Sequence, residues 1–262
     1  MSRRRNVSLA ACNIFGGAKI PHFLNQNERE FVNLPNFLIR RVVQLKYRIH
    51  IRQYMYNKSL HLILEDGTVF KGKSFGYEAP VAGEVVFSTG MVGYTESLSD
   101  PSYLGQILTL TYPLIGNYGV PKEETTQGIS TFYESERIQA SGLIVSDFSF
   151  EYSHWNAAKS LSDWLKENKV PAVYGIDTRE LTKLVREKGT MLGKLVFPDE
   201  PDIPFVNPDD ENQVAKASCK EVIVYGNGKH KVVLVDCGVK NNIIRCLLKR
   251  DTTVIRVPWD YD

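Results

Sequence analysis

The residues of this 262-residue chain whose types could support covalent chemistry are few and far apart. Cys237 follows the apolar run Lys231–Asp236 and precedes Gly238 and a helical pattern. A helix N-terminus can lower a thiol's pKa and make it a nucleophile. A nucleophile also needs a base, and His230 stands before the same run, at the far end of a strand some ~20 Å long at ~3.3 Å per residue. Cys237 therefore reads as a small residue at a strand end, and Cys246, beside Ile243 and Leu247, as packing. In Asp100-Pro101-Ser102-Tyr103 the residues alone describe a turn whose Ser102 hydroxyl caps the next backbone amide. The carboxylate pairs Glu65/Asp66 and Asp209/Asp210 are turn and linker acids with no partner motif. Gly116-Asn117-Tyr118-Gly119 is not a phosphate loop, because it has no P-loop lysine and no helical pattern after it. His154-Trp155 precedes an amphipathic stretch and reads as a packed turn.

The elements that would position these residues are legible as a pattern. Leu60–Asp66 ends at Asp66-Gly67, a two-residue hairpin signal, and Thr68–Phe75 continues beyond it. Strand-like runs recur at Glu84–Phe87, Ile107–Thr111, Ala140–Val145, Ala172–Tyr174 and Met191–Val196. One helix is expected over Ala157–Asn168, with Ala157, Ala158, Leu161, Trp164 and Leu165 on one face. A second begins at Asp177, where Glu180 three residues later completes a capping box, and Gly189 offers its stop. Pro201–Asn227, with three prolines and the acidic run Asp209–Glu211, is the linker candidate. Then Lys231–Asp236, a helix with Ile243, Ile244, Leu247 and Leu248 on one face, and Thr252–Trp259 form a strand–helix–strand unit with parallel strands. A parallel sheet needs cover on both faces and several strands, so this unit is expected to begin a second domain. The fold class is therefore an α+β N-terminal domain, mixed β with two or more helices, followed by the first βαβ of a truncated α/β domain. The expected boundaries are a leader at 1–57, a domain at 58–200, a linker at 201–229 and the incomplete second domain at 230–262.

Between them, Glu84–Pro121 stands apart. Its 38 residues hold three acids (Glu84, Glu96, Asp100), no Lys or Arg, five glycines, three prolines and four tyrosines. About a quarter of a typical chain is charged. A stretch so punctuated and so poor in charge reads as tight turns that pack against something, either a β core or a second domain or subunit.

Charge is also uneven along the chain. Residues 1–58 carry 11 Lys/Arg against two acids, Glu28 and Glu30, and the remaining 204 residues carry 21 against 28. An acid-poor, Arg-bearing N-terminus is the pattern of a mitochondrial transit peptide, and Asn36–Arg48 supplies the basic amphipathic helix such a segment needs. A basic RNA- or membrane-binding arm is the rival reading. No aromatic–basic motif or zinc spacing supports nucleic acid, and no apolar run reaches the ~20 residues of a membrane span. The four cysteines, Cys12, Cys219, Cys237 and Cys246, show neither CxxC nor paired spacing, and read as reduced thiols rather than a disulfide framework or metal site.

The wording of several stretches resembles one family. GEVVF, TGMVGY, DPSY, GQIL and LTYPLIGN within Glu84–Pro121 are similar to the N-terminal domain of the small (glutaminase) subunit of carbamoyl-phosphate synthetase. The likeness extends through Leu64–Gly76, Ser141–Val145, His154-Trp155, Gly175–Leu195 and Val235–Arg250, and is stronger to the fused animal enzymes than to the separate bacterial subunit. The resemblance implies a ligase that uses glutamine, bicarbonate and ATP to make carbamoyl phosphate for pyrimidine or for arginine and urea synthesis. It implies that this chain docks glutaminase to the synthetase (large) domain or subunit, its partner, with no nucleic acid and no membrane insertion. No cofactor is expected in this chain; ATP and Mg belong to the synthetase part. The class I amidotransferase elbow Gly-x-Cys-x-Gly-x-Gln and its downstream His-x-Glu do not occur in this sequence, so the resemblance gives no catalytic residue and no metal ligand here. It gives Ser102, which matches the family's DPSY serine, as a contributor to the glutamine pocket. Some mitochondrial members lack the catalytic cysteine and use free ammonia. The implied location is the mitochondrial matrix, with the cytoplasm as the alternative, and a non-catalytic fragment or paralogue acting as a binding module is the alternative function.

Overall fold

The computed structural model describes residues 56–262; the helix expected over Asn36–Arg48 and Cys12 lie outside the described residues. In chain order, β1 (Ser59–Leu64), β2 (Val69–Ser74) and β3 (Val81–Ser88) precede the short helix α1 (Tyr94–Ser99) and the 3-10 turn Pro101–Tyr103. Then come β4 (Gln106–Ile115), three two-residue strands β5 (Val120–Pro121), β6 (Thr125–Thr126) and β7 (Ile129–Ser130), β8 (Gly142–Phe148) and β9 (Ala157–Lys159). Helix α2 (Leu161–Glu167), β10 (Ala172–Tyr174), α3 (Thr178–Lys188) and β11 (Met191–Val196) follow. The last part holds α4 (Gln213–Ala217), β12 (Ile223–Tyr225), β13 (His230–Asp236), α5 (Asn241–Leu248) and β14 (Thr252–Pro258). Asn57–Asp262 form one compact unit.

Seven strands close into a barrel in the order β1-β11-β3-β4-β8-β10-β2. β3, β4, β8 and β10 are mutually parallel, and the remaining pairings are antiparallel. Strand alternation sends Leu60, Leu62, Leu64, Val85, Ile107, Ile144, Val173 and Leu195 into the lumen, all 0–1% exposed. One end is plugged by α3, whose Leu181 and Val185 join the same apolar cluster. The Asp177 carboxylate accepts the Glu180 amide at 2.9 Å to cap α3 and Gly189 ends it at φ +92°, but the Glu180 side chain makes no return bond among the described residues, so only half of the capping box forms.

A seven-stranded barrel has little room inside, and glycine takes the tightest places. A Cβ on Gly83 would stand 2.4 Å from the Gly105 carbonyl oxygen, and one on Gly193 would stand 2.4 Å from a Val85 methyl. These two glycines face each other across the β3–β11 pair.

Two expectations need correction. Ala157–Lys159 is not the first turn of a helix: it pairs with β5 as β9, and α2 starts at Leu161 because the Ser160 hydroxyl accepts the Asp163 amide as its cap. His154-Trp155 is a turn, but it is not packed, since Trp155 is 88% exposed. The stretch from Pro201 onward carries structure of its own. Asp202 and the Ile203 carbonyl hold the buried Lys194 ammonium, and β12 joins the C-terminal sheet on the β14 side. β13 and β14 are parallel, as the strand–helix–strand pattern requires.

Gly83→Ala is expected to cost about 1–3 kcal/mol, because the obstacle is a backbone oxygen that cannot step aside. Gly90→Ala, which meets only ordinary contacts, should stay within about 0.5 kcal/mol. Urea unfolding of both variants checks this, and equal midpoints would contradict the packing account.

Candidate functional site

The turn that holds Ser102 is built from the charge-poor stretch. Gly93 adopts φ +84° to start α1, and the Tyr118 hydroxyl accepts the amides of Gly93 and Tyr94 at 2.8 and 3.0 Å. The Tyr94 ring stacks on Tyr118 with centroids 4.0 Å apart, and its hydroxyl donates to the Gly119 carbonyl. The turns at Gly93 and Gly116–Gly119 are thus fixed by aromatic side chains instead of ion pairs. At the other end of α1 the Ser99 hydroxyl accepts the Glu134 amide, and Ser135 donates back to the Ser99 carbonyl.

Asp100 comes next, 7% exposed. One carboxylate oxygen accepts the Ser102 amide at 2.9 Å, and the other pairs with Lys240 at 2.5 Å. Asp100, not Ser102, is therefore the residue that caps the turn. The Ser102 side chain is exposed, and its hydroxyl makes no hydrogen bond among the described residues.

The segment Asp236–Lys240, between β13 and α5, lies directly against this turn. A Cβ on Gly238, which sits at φ +97°, would be 3.3 Å from Pro101 Cβ. Asp236 is fully buried and organises the segment. One oxygen accepts the amides of Gly238 and Val239; the other accepts the Cys219 amide and the Arg256 guanidinium. Burial alone would raise the Asp236 carboxyl, but the three amides and Arg256 outweigh it and hold its pKa below the usual carboxylate range. Glu134 makes the second clamp: its side chain accepts the Asn242 amide and pairs with Arg245 at 2.9 Å, while its carbonyl accepts the Asn241 amide. Asn241 and Arg245 reach back to the Tyr133 and Ser130 carbonyls.

The turn and the strand-to-helix segment are therefore one rigid corner, with Ser102 on its open side. Cys237 is part of this corner, exposed, with no hydrogen bond or ion pair among the described residues. His230 is the first residue of β13 and Cys237 follows its last, so the strand separates them as its length requires. Cys246 is half-buried, and burial together with Asp236 raises the Cys219 thiol. No cluster of metal-ligating side chains occurs among the described residues. No helix among them is long and apolar enough to cross a membrane. Of the carboxylate pairs, Asp66 binds Lys188 and the Thr68 amide, and Glu65 accepts the Leu192 amide.

Sequence reasoning singled out Ser102 and the strand-to-helix segment but not what joins them. Asp236 before a glycine at a strand end was a usable signal, because an aspartate there can gather the following amides. Glu134 gave none: its partner Arg245 is 111 residues away.

The sequence profile described as carbamoyl-phosphate synthase small chain, CPSase domain, matches residues 62–195. The human protein "Carbamoyl-phosphate synthase [ammonia], mitochondrial" is 54% identical over 208 residues, 78% of this chain and 14% of that protein. "Multifunctional protein CAD" of Squalus acanthias is 54% identical over 204 residues, 76% of this chain and 9% of that protein. The "Carbamoyl phosphate synthase arginine-specific small chain" of Saccharomyces cerevisiae is 46% identical over 204 residues, 76% of this chain and 50% of that one. The chain thus spans between a tenth and a half of the length of these relatives, and it belongs to the carbamoyl-phosphate synthase small-chain family.

Because the Asp236 pKa is depressed by folding, its stabilising effect is complete above the unfolded value of about 3.9 and is lost as pH falls through the folded value. Amide exchange at Val239–Ile244 should therefore accelerate in acid. In Asp236→Asn the same amides should exchange fast at every pH; a profile identical to the parent's would remove Asp236 from this role.

Proposed function

We propose that this chain is the glutaminase-side N-terminal portion of a glutamine-dependent carbamoyl-phosphate synthetase, and that it docks glutaminase to synthetase. The observation that carries this reading is the unpaired Ser102 hydroxyl on a turn clamped to the start of the β13–α5–β14 unit. A hydroxyl held outward by buried neighbours, with no internal use, is arranged to meet a ligand. In this reading Ser102 hydrogen-bonds glutamine from outside the amidotransferase domain, and the Asp100–Lys240 pair sets its distance from that domain.

The β13–α5–β14 unit is then the beginning of the class I amidotransferase domain. Its sheet supports this: Ile244, Val254 and Tyr225 are buried on one face, while Val224, Val233 and Val235 are 55–64% exposed on strands that lack a second layer among the described residues. Further strands and helices of that domain would cover them. In this reading the bond-breaking groups lie outside this chain, for Cys237 is exposed and has no hydrogen-bonded base among the described residues. ATP and Mg would be held by the synthetase part, which is the partner, and the basic leader, with the amphipathic pattern of Asn36–Arg48, would direct the protein to the mitochondrial matrix.

A second reading has a specific motive, for the human relative is named for ammonia. In an ammonia-using protein the same corner would serve only to dock the synthetase. The two separate in the longer protein that contains this chain. Removing one hydrogen bond to glutamine by Ser102→Ala should raise KM for glutamine roughly 2- to 10-fold and leave ammonia-driven synthesis unchanged. No change with glutamine would favour docking alone. The purified 262-residue chain should release no glutamate from glutamine, and release that survives Cys237→Ala would place the chemistry elsewhere in it.

Residues 1 to about 50 fused to a reporter should carry it into mitochondria, and Arg40→Glu with Arg41→Glu should prevent this. A uniform cytosolic signal from the parent fusion would leave the cytoplasmic alternative.

A further inference from the structure

At the mouth of the barrel, away from Ser102, lies a groove of about 780 Å³ between the strand ends and α3. Of the four parallel strands, β3 and β10 finish here and β4 and β8 pass through, with Thr89, Thr111, Ser146 and Gly175 at its floor. Ligands of parallel sheets sit beyond the carboxyl ends of the strands, where side chains and a helix N-terminus converge. The volume is that of a small-molecule site.

The groove is cationic. Arg179, Lys183 and Arg186 stand along one side of α3 and line it, and none has an ion pair or hydrogen bond among the described residues. Asp177 is the one acid lining it, and its carboxylate is engaged with the Glu180 amide as the helix cap. The floor supplies hydroxyls. Thr111 donates to the Ser88 carbonyl and Thr182 to the Thr178 carbonyl, while the Thr89, Ser146 and Thr178 hydroxyls make no hydrogen bond among the described residues.

Beneath the floor is a second, independent sign. The Thr109 hydroxyl is completely buried and has no partner, and the same is true of the Ser74 hydroxyl. Thr109 precedes Thr111 by two residues and so points to the same face of β4, one layer deeper. Through the register Thr109↔Ile144, Ile144↔Val173 and Val173↔Ser74, both orphans belong to that one layer. A buried hydroxyl without a partner is costly. The Thr109 hydroxyl lies one residue pair below the groove floor, with the apolar Ile144 and Val173 between it and Ser74.

We infer that this groove binds a small phosphate-bearing anion, with Arg179, Lys183 and Arg186 holding the phosphate oxygens and the floor hydroxyls completing their hydrogen bonds. Guanidinium groups suit phosphate through paired N–H donors. An acidic peptide is the poorer fit, because the volume suits one small molecule rather than an extended chain. The inference is independent of the glutamine reading, since none of these residues belongs to the Ser102 corner.

Inorganic pyrophosphate and inorganic phosphate are the probes, titrated into the full 262-residue chain at constant ionic strength and followed by amide NMR shifts. The expected result is a saturable shift at Gly175–Thr178 and along α3, stronger for pyrophosphate than for phosphate. The variant Lys183→Gln with Arg186→Gln should weaken pyrophosphate roughly tenfold and leave the ligand-free melting temperature unchanged, because both side chains are exposed. Ser102→Ala should not alter the titration. Absence of a saturable shift, or a shift indifferent to the double variant, would overturn the proposal. An acidic peptide that moves these amides where pyrophosphate does not would also overturn it, and would reassign the groove to protein docking.

Discussion

Closure of the barrel is the constraint on which the rest depends. Seven strands enclose a lumen too narrow for a full set of side chains, so Gly83 and Gly193 face each other where any Cβ would collide with backbone or with Val85. That closure fixes the direction of the four parallel strands, and with it the places of the two proposed sites. α1 and the Asp100 turn form the crossover from β3 to β4, while β3 and β10 finish beneath α3. One sheet thus presents a rigid corner and a cationic mouth as separate consequences of a single topology.

The corner is held by few charges, and their placement matters more than their number. Glu84–Pro121 contains three acids, and one of them, Asp100, is the carboxylate that reaches across to Lys240. Glu134 and Asp236 make the other two anchors, and each satisfies both carboxylate oxygens with amides or guanidinium groups. Buried pairs of this kind add little net stability against an apolar substitute, because desolvation cancels much of the attraction. What they impose is a unique arrangement: an unpaired buried carboxylate is costly, so alternative seatings of α5 on the Ser130–Glu134 loop are penalised.

Local patterns in the sequence carried the elements whose signals are local. β10 and β11 match the anticipated runs residue for residue, and α3 is capped by Asp177 and stopped at Gly189 as its spacing indicates. Ala157–Lys159 failed because a helical apolar spacing also fits a short strand followed by a capped helix, and the pairing with β5 decided between them. The barrel itself was not legible, since β1 pairs with β11 and nothing in either run announces the other. Nor was the Asp100–Lys240 contact, which joins residues from opposite sides of the Pro201–Asn227 stretch. Ser102 was singled out through the resemblance and not through its own chemistry; the structure adds that Asp100 performs the capping its hydroxyl was expected to perform. The groove under α3 escaped notice because its hydroxyls come from β4, β8, the turn after β3 and α3 itself, which lie far apart in the chain.

The pairing of β1 with β11 also has a consequence in time. A ribosome delivers β1 first and β11 last among the barrel strands, so the sheet cannot close until the whole interval has been synthesised. Long-range pairing of this kind folds slowly, because the entropy of closing the loop is lost before the contacts that reward it exist. During that interval Leu60, Leu62 and Leu64 have only the β2 hairpin to shelter them. Until β11 is made, these apolar side chains lack the strand that closes the lumen burying them in the finished barrel.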